Sequence, residues 1–287
     1  MILIADSGST KTEWTAMDDL TGEVVAHAYT KGLNPYFVTQ EEIQDEIRTR
    51  LLPKLPVDCF TRDCFTRVYF YGSGARDEKQ PMIRQAIGSL LVGEVTVMTD
   101  MLGAARALCG HEPGIACILG TGANSCRYDG ETIVSNVPPL GYILGDEGSG
   151  AVLGKHFVAD LLKGLLPEGV VRDFEEAYPE ITTATVLERV YKESQPSRFL
   201  ASLAPFIRKQ IDVPEVRTMV RECFRSFFRR NVMLYDGWET TPVHFVGSIA
   251  HNFHAVLKEA AEAEGIHLGQ ILSAPMEGLV RYHTIKR

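Results

Sequence analysis

The chain has 287 residues, enough for two domains that each bury a core. With 45% hydrophobic and 23% charged residues it has the make-up of a globular protein, and no apolar run is long enough to cross a bilayer. A net charge of −8 argues against a broad nucleic-acid surface, which needs a basic face, but an acidic protein can still carry a locally positive pocket. The opening apolar run breaks at Asp6, too early for the core of a signal peptide. The six cysteines, Cys59, Cys64, Cys109, Cys117, Cys126 and Cys223, contain no Cys-x-x-Cys pair. Several lie in apolar contexts, as expected for reduced thiols of a cytoplasmic protein.

Ile2–Ala5 reads as a strand that stops at Asp6. The chain then turns through Ser7-Gly8-Ser9-Thr10-Lys11 and resumes, with Thr12 and Trp14 in alternation, as a second strand. Backbone N–H groups of such a turn can close around phosphate oxygens, because Gly8 has no Cβ and the hydroxyls add donors. Asp6, at the mouth of the turn, is placed to hold a metal ion through water. A Walker A loop is excluded, since no Gly-Lys-Ser/Thr run opens a helix here. A third strand is expected over Glu23–Tyr29, then a loop through Asn34 and Pro35. Thr39, with Glu42 three residues on, caps a helix running towards Leu52 that Pro53 and Pro56 end. Arg67–Tyr71 is a strand stopping at Gly72-Ser73-Gly74. A helix from Asp77 follows, with Met82, Ile83, Ala86 and Ile87 on one face. Glu94–Met98 is the next strand, ending in Thr99-Asp100, and a helix runs from Met101 with Ala104, Ala105 and Leu108 inward. The pattern predicts an α/β core with a mixed sheet.

Roughly a hundred residues after the first hairpin the pattern returns. Ile115–Leu119 leads into Gly120-Thr121-Gly122-Ala123-Asn124-Ser125, Cys126–Tyr128 resumes a strand, and Glu131–Ser135 follows the Asp129-Gly130 turn. Two such hairpins imply a duplicated unit, each turn aimed at a shared cleft. The loop from Pro138 to Gly150 precedes a helix ending near Lys163. From Pro167 to about Tyr235 the spacing is helical, with Phe224, Phe227 and Phe228 suited to a packed face and Arg225, Arg229 and Arg230 to a solvated one. Val243–Val246 is a buried strand ending at Gly247-Ser248, after which a helix runs to about Glu264. Leu268–Leu272 is the last strand, and Pro275–His283 the last helix.

The two hairpins and the segment Gly145-Asp146-Glu147-Gly148-Ser149 resemble the actin-like ATPase and sugar kinase superfamily, and within it the BadF/BadG-type ATPases and N-acetylglucosamine kinases. That resemblance implies duplicated actin-like (ribonuclease H-like) ATPase domains of α/β class flanking an ATP cleft. The first would span residues 1–108 and the second 109–287, with a helical insert at about 165–237 and the terminal helix, 275–287, packing back on the first. It implies ATP and Mg²⁺ as cofactors. Asp6 would position the metal, with Ser7, Gly8, Ser9, Thr10 and Lys11 at the phosphates. Gly120, Thr121 and Gly122 would cradle the phosphate tail. Gly247 and Ser248 match the adenosine motif, although a Gly-Ser pair also simply begins a helix. Asp100 lies at a strand's carboxyl end, where α/β sheets put functional groups, and matches the aspartate that takes the proton of the attacking hydroxyl. Its alternative reading is the N-cap of the next helix, a role that can coexist with the first. Asn34 matches a sugar-contacting asparagine and also reads as a turn-former before proline. Asp146 inherits a sugar-hydroxyl contact, Asn124 aligns with an asparagine near the sugar, and Gly141 and Tyr142 fall in the same sugar loop. The animal enzymes have Gly-Trp-Gly ahead of this signature where this chain has Pro139-Leu140-Gly141, which bears on the sugar's identity more than on the reaction.

Three functional classes follow. One is an ATP-dependent amino-sugar kinase, N-acetylglucosamine to its 6-phosphate. Another is an ATPase activator of a dehydratase or reductase, which would need paired thiolates for an iron–sulfur cluster, and only Cys59 and Cys64 are close in sequence. The third is a non-catalytic sugar sensor, which should lack a base, whereas Asp6 and Asp100 are both present. The expected partner is a small amino sugar, with neither nucleic acid nor membrane, and a homodimer is left open.

Overall fold

The computed structural model describes residues 1–8, 10–55 and 65–284. Ser9, Pro56, Cys59 and Cys64 lie outside the described residues. The chain divides into two compact units: Met1–Glu112 with Asp129–Ile133 and Ala274–Arg287, and Pro113–Tyr128 with Val134–Ser273.

The first unit contains β1 (Ile2–Ser7), β2 (Lys11–Met17), β3 (Val24–Lys31), α1 (Gln40–Glu46), β4 (Arg67–Gly72), α2 (Gln80–Gly88), β5 (Glu94–Thr99) and α3 (Asp100–Cys109). Its sheet has the order β3-β2-β1-β4-β5, with the hairpin strands antiparallel and β1, β4 and β5 parallel. Side chains alternate across a strand. Leu3 and Ala5 therefore join Phe70 and the α1 and α2 residues Ile43, Ile83, Ala86 and Ile87, while Ile2 and Ile4 face Tyr71, Met98 and Ala107. That parity matters for function. It puts Ser7 on the α1/α2 side and Asp6 on the α3 side.

Three sequence expectations shift here. The capping box at Thr39 and Glu42 forms, but regular α-helix ends at Glu46, giving way to a wider turn over Ile47–Leu51 and a tighter one over Leu52–Lys54. The next helix opens at Gln80, not Asp77. Pro81 has no N–H to donate and is tolerated only in a first turn, so the helix cannot begin three residues earlier. The N-cap of α3 is Thr99, whose hydroxyl accepts the Leu102 N–H at 3.3 Å, and Asp100 is the first helical residue.

The second unit holds β6 (Gly114–Leu119), β7 (Ala123–Tyr128), β8 (Ile133–Ser135), α4 (Gly141–Leu144), α5 (Gly150–Leu162), α6 (Glu168–Ala177), α7 (Thr183–Tyr191), α8 (Pro196–Ala201), α9 (Ala204–Lys209), α10 (Pro214–Arg230), β9 (Val243–Val246), α11 (Ser248–Asn252), α12 (His254–Glu264) and β10 (Leu268–Leu272). Its sheet order is β10-β9-β6-β7-β8, with β6 and β7 antiparallel and β6, β9 and β10 parallel. Read from β8, this repeats the first sheet strand for strand: third, second, first, fourth, fifth. The expected duplication is present. Phe224, Phe227 and Phe228 are fully buried with Phe245 and Phe253, as the helical spacing predicted. The last helix, α13 (Met276–Thr284), belongs to the first unit and packs on α3 and β1 through Met276 and Leu279. Among the described residues no helix is long and apolar enough to cross a membrane.

Candidate active site

In the first unit the carboxyl ends of three adjacent parallel strands align, with Ser7, Gly72 and Thr99 in register. One residue from these positions stand Asp6, Ser73 and Asp100. Asp6 is held on the α3 side of the sheet, and its carboxyl is pushed up to about 7 by burial, then by the charges of Asp100 and Glu13, with Lys11 opposing. Glu13 stands directly across the hairpin from Asp6, a like-charge pair that the register imposes. Asp100 is also shifted upward, chiefly by burial. The Met101 N–H, donating to its Oδ1 at 2.9 Å, the Ser73 hydroxyl and the Arg76 charge pull the other way. The charges of Asp100 and Glu13 make Asp6 the acid that gains most from a nearby cation. Among the described residues no three such side chains converge on one point, so a divalent ion at Asp6 would need phosphate and water oxygens to complete its shell.

The hairpin turn divides into inner and outer parts. Ser7 is buried, and its hydroxyl pairs with Thr12 at 2.8 Å and accepts the Leu33 N–H at 3.0 Å, so it fastens the following loop. Thr10 and Lys11 are exposed, the Lys11 ammonium 5.3 Å from the Tyr29 ring centre. A Cβ added to Gly8 would meet only the Lys11 carbonyl, at 3.7 Å, so the fold itself does not demand glycine there. Asn34 is 9% exposed. Its Oδ1 accepts the Tyr36 N–H at 3.0 Å, the turn-forming role that its sequence position suggested.

In the second unit the corresponding edge carries Gly120-Thr121-Gly122 after β6 and Gly247-Ser248 after β9. The N-terminus of α5 closes on the hairpin: the Gly150 N–H donates to the Gly120 carbonyl at 2.8 Å, and the Ala151 N–H to that of Thr121 at 3.1 Å. Gly247 has φ 122°, and a Cβ there would lie 2.4 Å from the Leu119 carbonyl, so only glycine fits. A cavity of about 420 Å³ opens beside this edge, lined by Gly120, Thr121, Ser248 and Asn252 together with Ala201 and Pro205 of the helical insert. Its size and its wall of small and apolar groups suit a nucleoside.

Asp146 is the sole non-glycine residue with left-handed backbone among the described residues, at φ 55°. Its carboxylate accepts the Ala123 N–H and lies against Gly122, where an added Cβ would come within 3.0 Å of Oδ2. Burial raises its pKa, Glu147 adds to the shift, and Ala123 and Lys155 oppose it. Asn124 Oδ1 accepts from the Ser125 N–H and from Asn136 Nδ2. Gly141 begins α4 with φ 74°, and the Tyr142 carbonyl accepts from Lys155 Nζ at 2.9 Å. Ser149 caps α5, its buried hydroxyl taking the Val152 N–H.

A candidate N-acetylglucosamine kinase from Porphyromonas gingivalis is 45% identical to this chain, over 100% of it and 99% of the other, with a TM-score of 0.94. The chain belongs to that sugar kinase family. A candidate N-acetylglucosamine kinase from Chromobacterium violaceum shares the fold at 19% identity, 98% coverage of each chain and a TM-score of 0.75. A ROK hexokinase from Thermus thermophilus shares it at 14% identity, 99% and 97% coverage and a TM-score of 0.55. No protein-family profile and no curated protein matches the sequence. The duplicated actin-like fold expected of this sugar kinase family is the fold observed.

Several residues of the site escaped the sequence reading. Ser73 was legible as part of a strand-end Gly-Ser-Gly, and Glu13 from the hairpin register opposite Asp6. Ala201, Pro205 and Asn252 carry no local signal. Arg230 lies on a solvated face as expected, 62% exposed, and from there also pairs with Glu147 of the Gly-Asp-Glu-Gly-Ser loop across a sequence separation that no spacing rule reaches.

Proposed function

We propose that this sugar kinase transfers the γ-phosphoryl group of ATP to an amino sugar, N-acetylglucosamine at its 6-hydroxyl, with Asp100 as the base. The observation that carries the reading is the pair of partly buried acids with raised pKa values, Asp6 and Asp100, at the carboxyl ends of β1 and β5 on either side of β4, in a chain 45% identical to a candidate N-acetylglucosamine kinase. Phosphoryl transfer asks for positioned phosphates, charge neutralisation and an oriented acceptor. Mg²⁺, when bound, supplies the positive charge that neutralises the phosphate oxygens. In this reading Asp6 holds the ion and Asp100 orients the hydroxyl and takes its proton. Burial keeps Asp100 more basic than an exposed aspartate, and the Met101 N–H fixes one oxygen so that the carboxylate cannot swing away. Gly8, Ser9, Thr10 and Lys11 serve the phosphates from the first unit. Gly120, Thr121, Gly122, Gly247 and Ser248 take the nucleotide in the second. Asp146, Gly141 and Tyr142, with Asn124 of β7, would take the sugar in the second unit, and Asn34 is the sugar contact proposed in the first.

Asp100→Asn tests the base directly. Thr99 carries the cap, and Asn still accepts the Met101 N–H, so Tm should hold. The rate of sugar phosphorylation should fall by roughly 10²–10⁴-fold in a coupled ADP-release assay, with ATP binding retained. A variant keeping more than about a third of wild-type kcat, far above that range, would remove Asp100 from the role. Running wild type across N-acetylglucosamine, glucosamine, N-acetylmannosamine and glucose identifies the acceptor.

A further inference from the structure

The loop that carries Asp146 is firmly seated on one side and lightly supported on the other. Downstream, Gly148 and Ser149 are buried, with Gly148 against Phe224 and Phe227. Upstream, the residues of and next to α4 stand in solvent, Leu140 57%, Ile143 72% and Leu144 67% exposed. Behind Gly145 and Glu147 lies a cavity of about 650 Å³ between α5 and α10, also lined by Lys155, His156 and Arg230. The core reaches the loop there only through Tyr142, which is partly buried against it. Two polar tethers cross as well. Arg230, the last residue of α10, donates through Nε to Glu147 Oε1, while Asn231 Nδ2 donates to Oε2 at 3.3 Å. Lys155 of α5 donates to the Tyr142 carbonyl at 2.9 Å.

We propose that the Glu147–Arg230 ion pair is a positioning element for sugar recognition: it fastens the loop to the end of α10 and so holds the Asp146 carboxylate against Gly122 and Ala123. It rests on the reading of Asp146 as a sugar ligand. Asp146 occupies left-handed backbone, which an aspartate tolerates but does not prefer, so a loop free to move towards the cavity has an ordinary conformation to relax into. The ion pair opposes that movement. Glu147 is only 16% exposed and therefore well fixed, and Arg230, 62% exposed, reaches it from the solvent side. The helical insert thus acts on the sugar subsite without lining it. The nucleotide cavity, framed by α8, α9 and α11, shares no lining residue with this contact.

Arg230→Gln, Glu147→Gln and the double variant are measured by steady-state kinetics and by calorimetric titration with N-acetylglucosamine, alongside Asp146→Asn. Each single variant should raise the KM and Kd for sugar on the order of 10-fold, the effect of a small misplacement of a binding group. KM for ATP should stay within about twofold, and Tm within about 4 °C, since the arginine of the pair is largely in solvent and Asn231 still donates to Glu147. The double variant should be no worse than either single one, because both remove the same contact. Arg230→Lys, which keeps the charge, should recover part of the affinity. Added salt should weaken sugar binding by the wild type and leave Arg230→Gln insensitive. If Asp146→Asn loses sugar affinity while the ion-pair variants keep it, the sugar reading stands and this proposal falls. If Asp146→Asn binds sugar normally, the sugar reading itself falls. Parallel losses in sugar, ATP and Tm would mark the pair as merely structural and overturn the proposal as well.

Discussion

The hairpin β1–β2 and the hairpin β6–β7 hold the same place in two sheets of the same strand order, yet they differ in chemistry. The first is surrounded by carboxylates, Asp6, Glu13 and Asp100, whose mutual repulsion leaves a proton or a cation as the means of relief. The second is surrounded by glycines and small side chains beside a nucleoside-sized cavity, with one carboxylate, Asp146, brought in from a separate loop. Duplication supplied the scaffold twice. In the proposed reaction the two strand-end environments would serve opposite needs: acids for a metal, open backbone for a nucleotide.

The sharpest way to break this comparison is to remove charge from the first hairpin. Asp6→Asn should lower turnover with Mg²⁺ on the order of 10²-fold, as loss of a charge-positioning group does. It also has a signature in pH. The folded protein holds this carboxyl near 7 against an ordinary 3.8, so the unfolded chain releases the proton first. The stability that Asp6 contributes is therefore complete below about pH 4 and is lost as pH rises towards about 7. Without Mg²⁺, wild-type Tm should fall over that window more than Asp6→Asn does, and the variant should be the more stable at pH 8. Parallel curves would show that Asp6 is not the strained acid.

The second hairpin should respond to shape. Gly247→Ala forces a side chain into left-handed backbone and against the Leu119 carbonyl, which should destabilise the protein by at least about 1–3 kcal/mol in denaturant titration. Gly120→Ala has open space around the added carbon. It should leave the denaturation midpoint unchanged and raise KM for ATP. Equal stability of the two variants would refute the close approach at Gly247. Ser202→Trp, at an exposed position on the cavity wall, should raise KM for ATP by about 10-fold through occlusion while sparing KM for sugar. The smallest effect is expected at Leu140, which is largely exposed. Leu140→Trp should change KM for sugar by about twofold to fivefold through a new aromatic contact, and unchanged sugar kinetics would remove Leu140 from the sugar pocket.

Much of this was legible in the chain. Strand β9, Val243–Val246, and strand β10, Leu268–Leu272, have the bounds that alternation and flanking turns indicated. Period-two patterning is clearest on β3, where Ala28 and Thr30 are buried between exposed neighbours. The helix starts were less legible. At Asp77 an apparent cap was overruled by Pro81, and at Asp100 the true cap stood one residue earlier, because several hydroxyl and carboxyl residues in a row compete for the same N–H groups. Ser7 and Asp6 look interchangeable as polar turn residues. Their parity on β1 separates them, sending one hydroxyl into the α1/α2 interior and the carboxylate to the α3 side.

The sequence by itself determined the duplicated strand–turn–strand units, the parallel strands that follow, the helical insert and the carboxylates at strand ends, since all of these rest on local periodicity and on turn chemistry within a few residues. Only the tertiary structure decided which acids feel one another, which glycine is sterically required, which helices wall the cavity, and that Arg230 reaches Glu147. Those depend on distances between segments dozens of residues apart. Such distances follow from how the sheets and helices pack, and no local pattern encodes them.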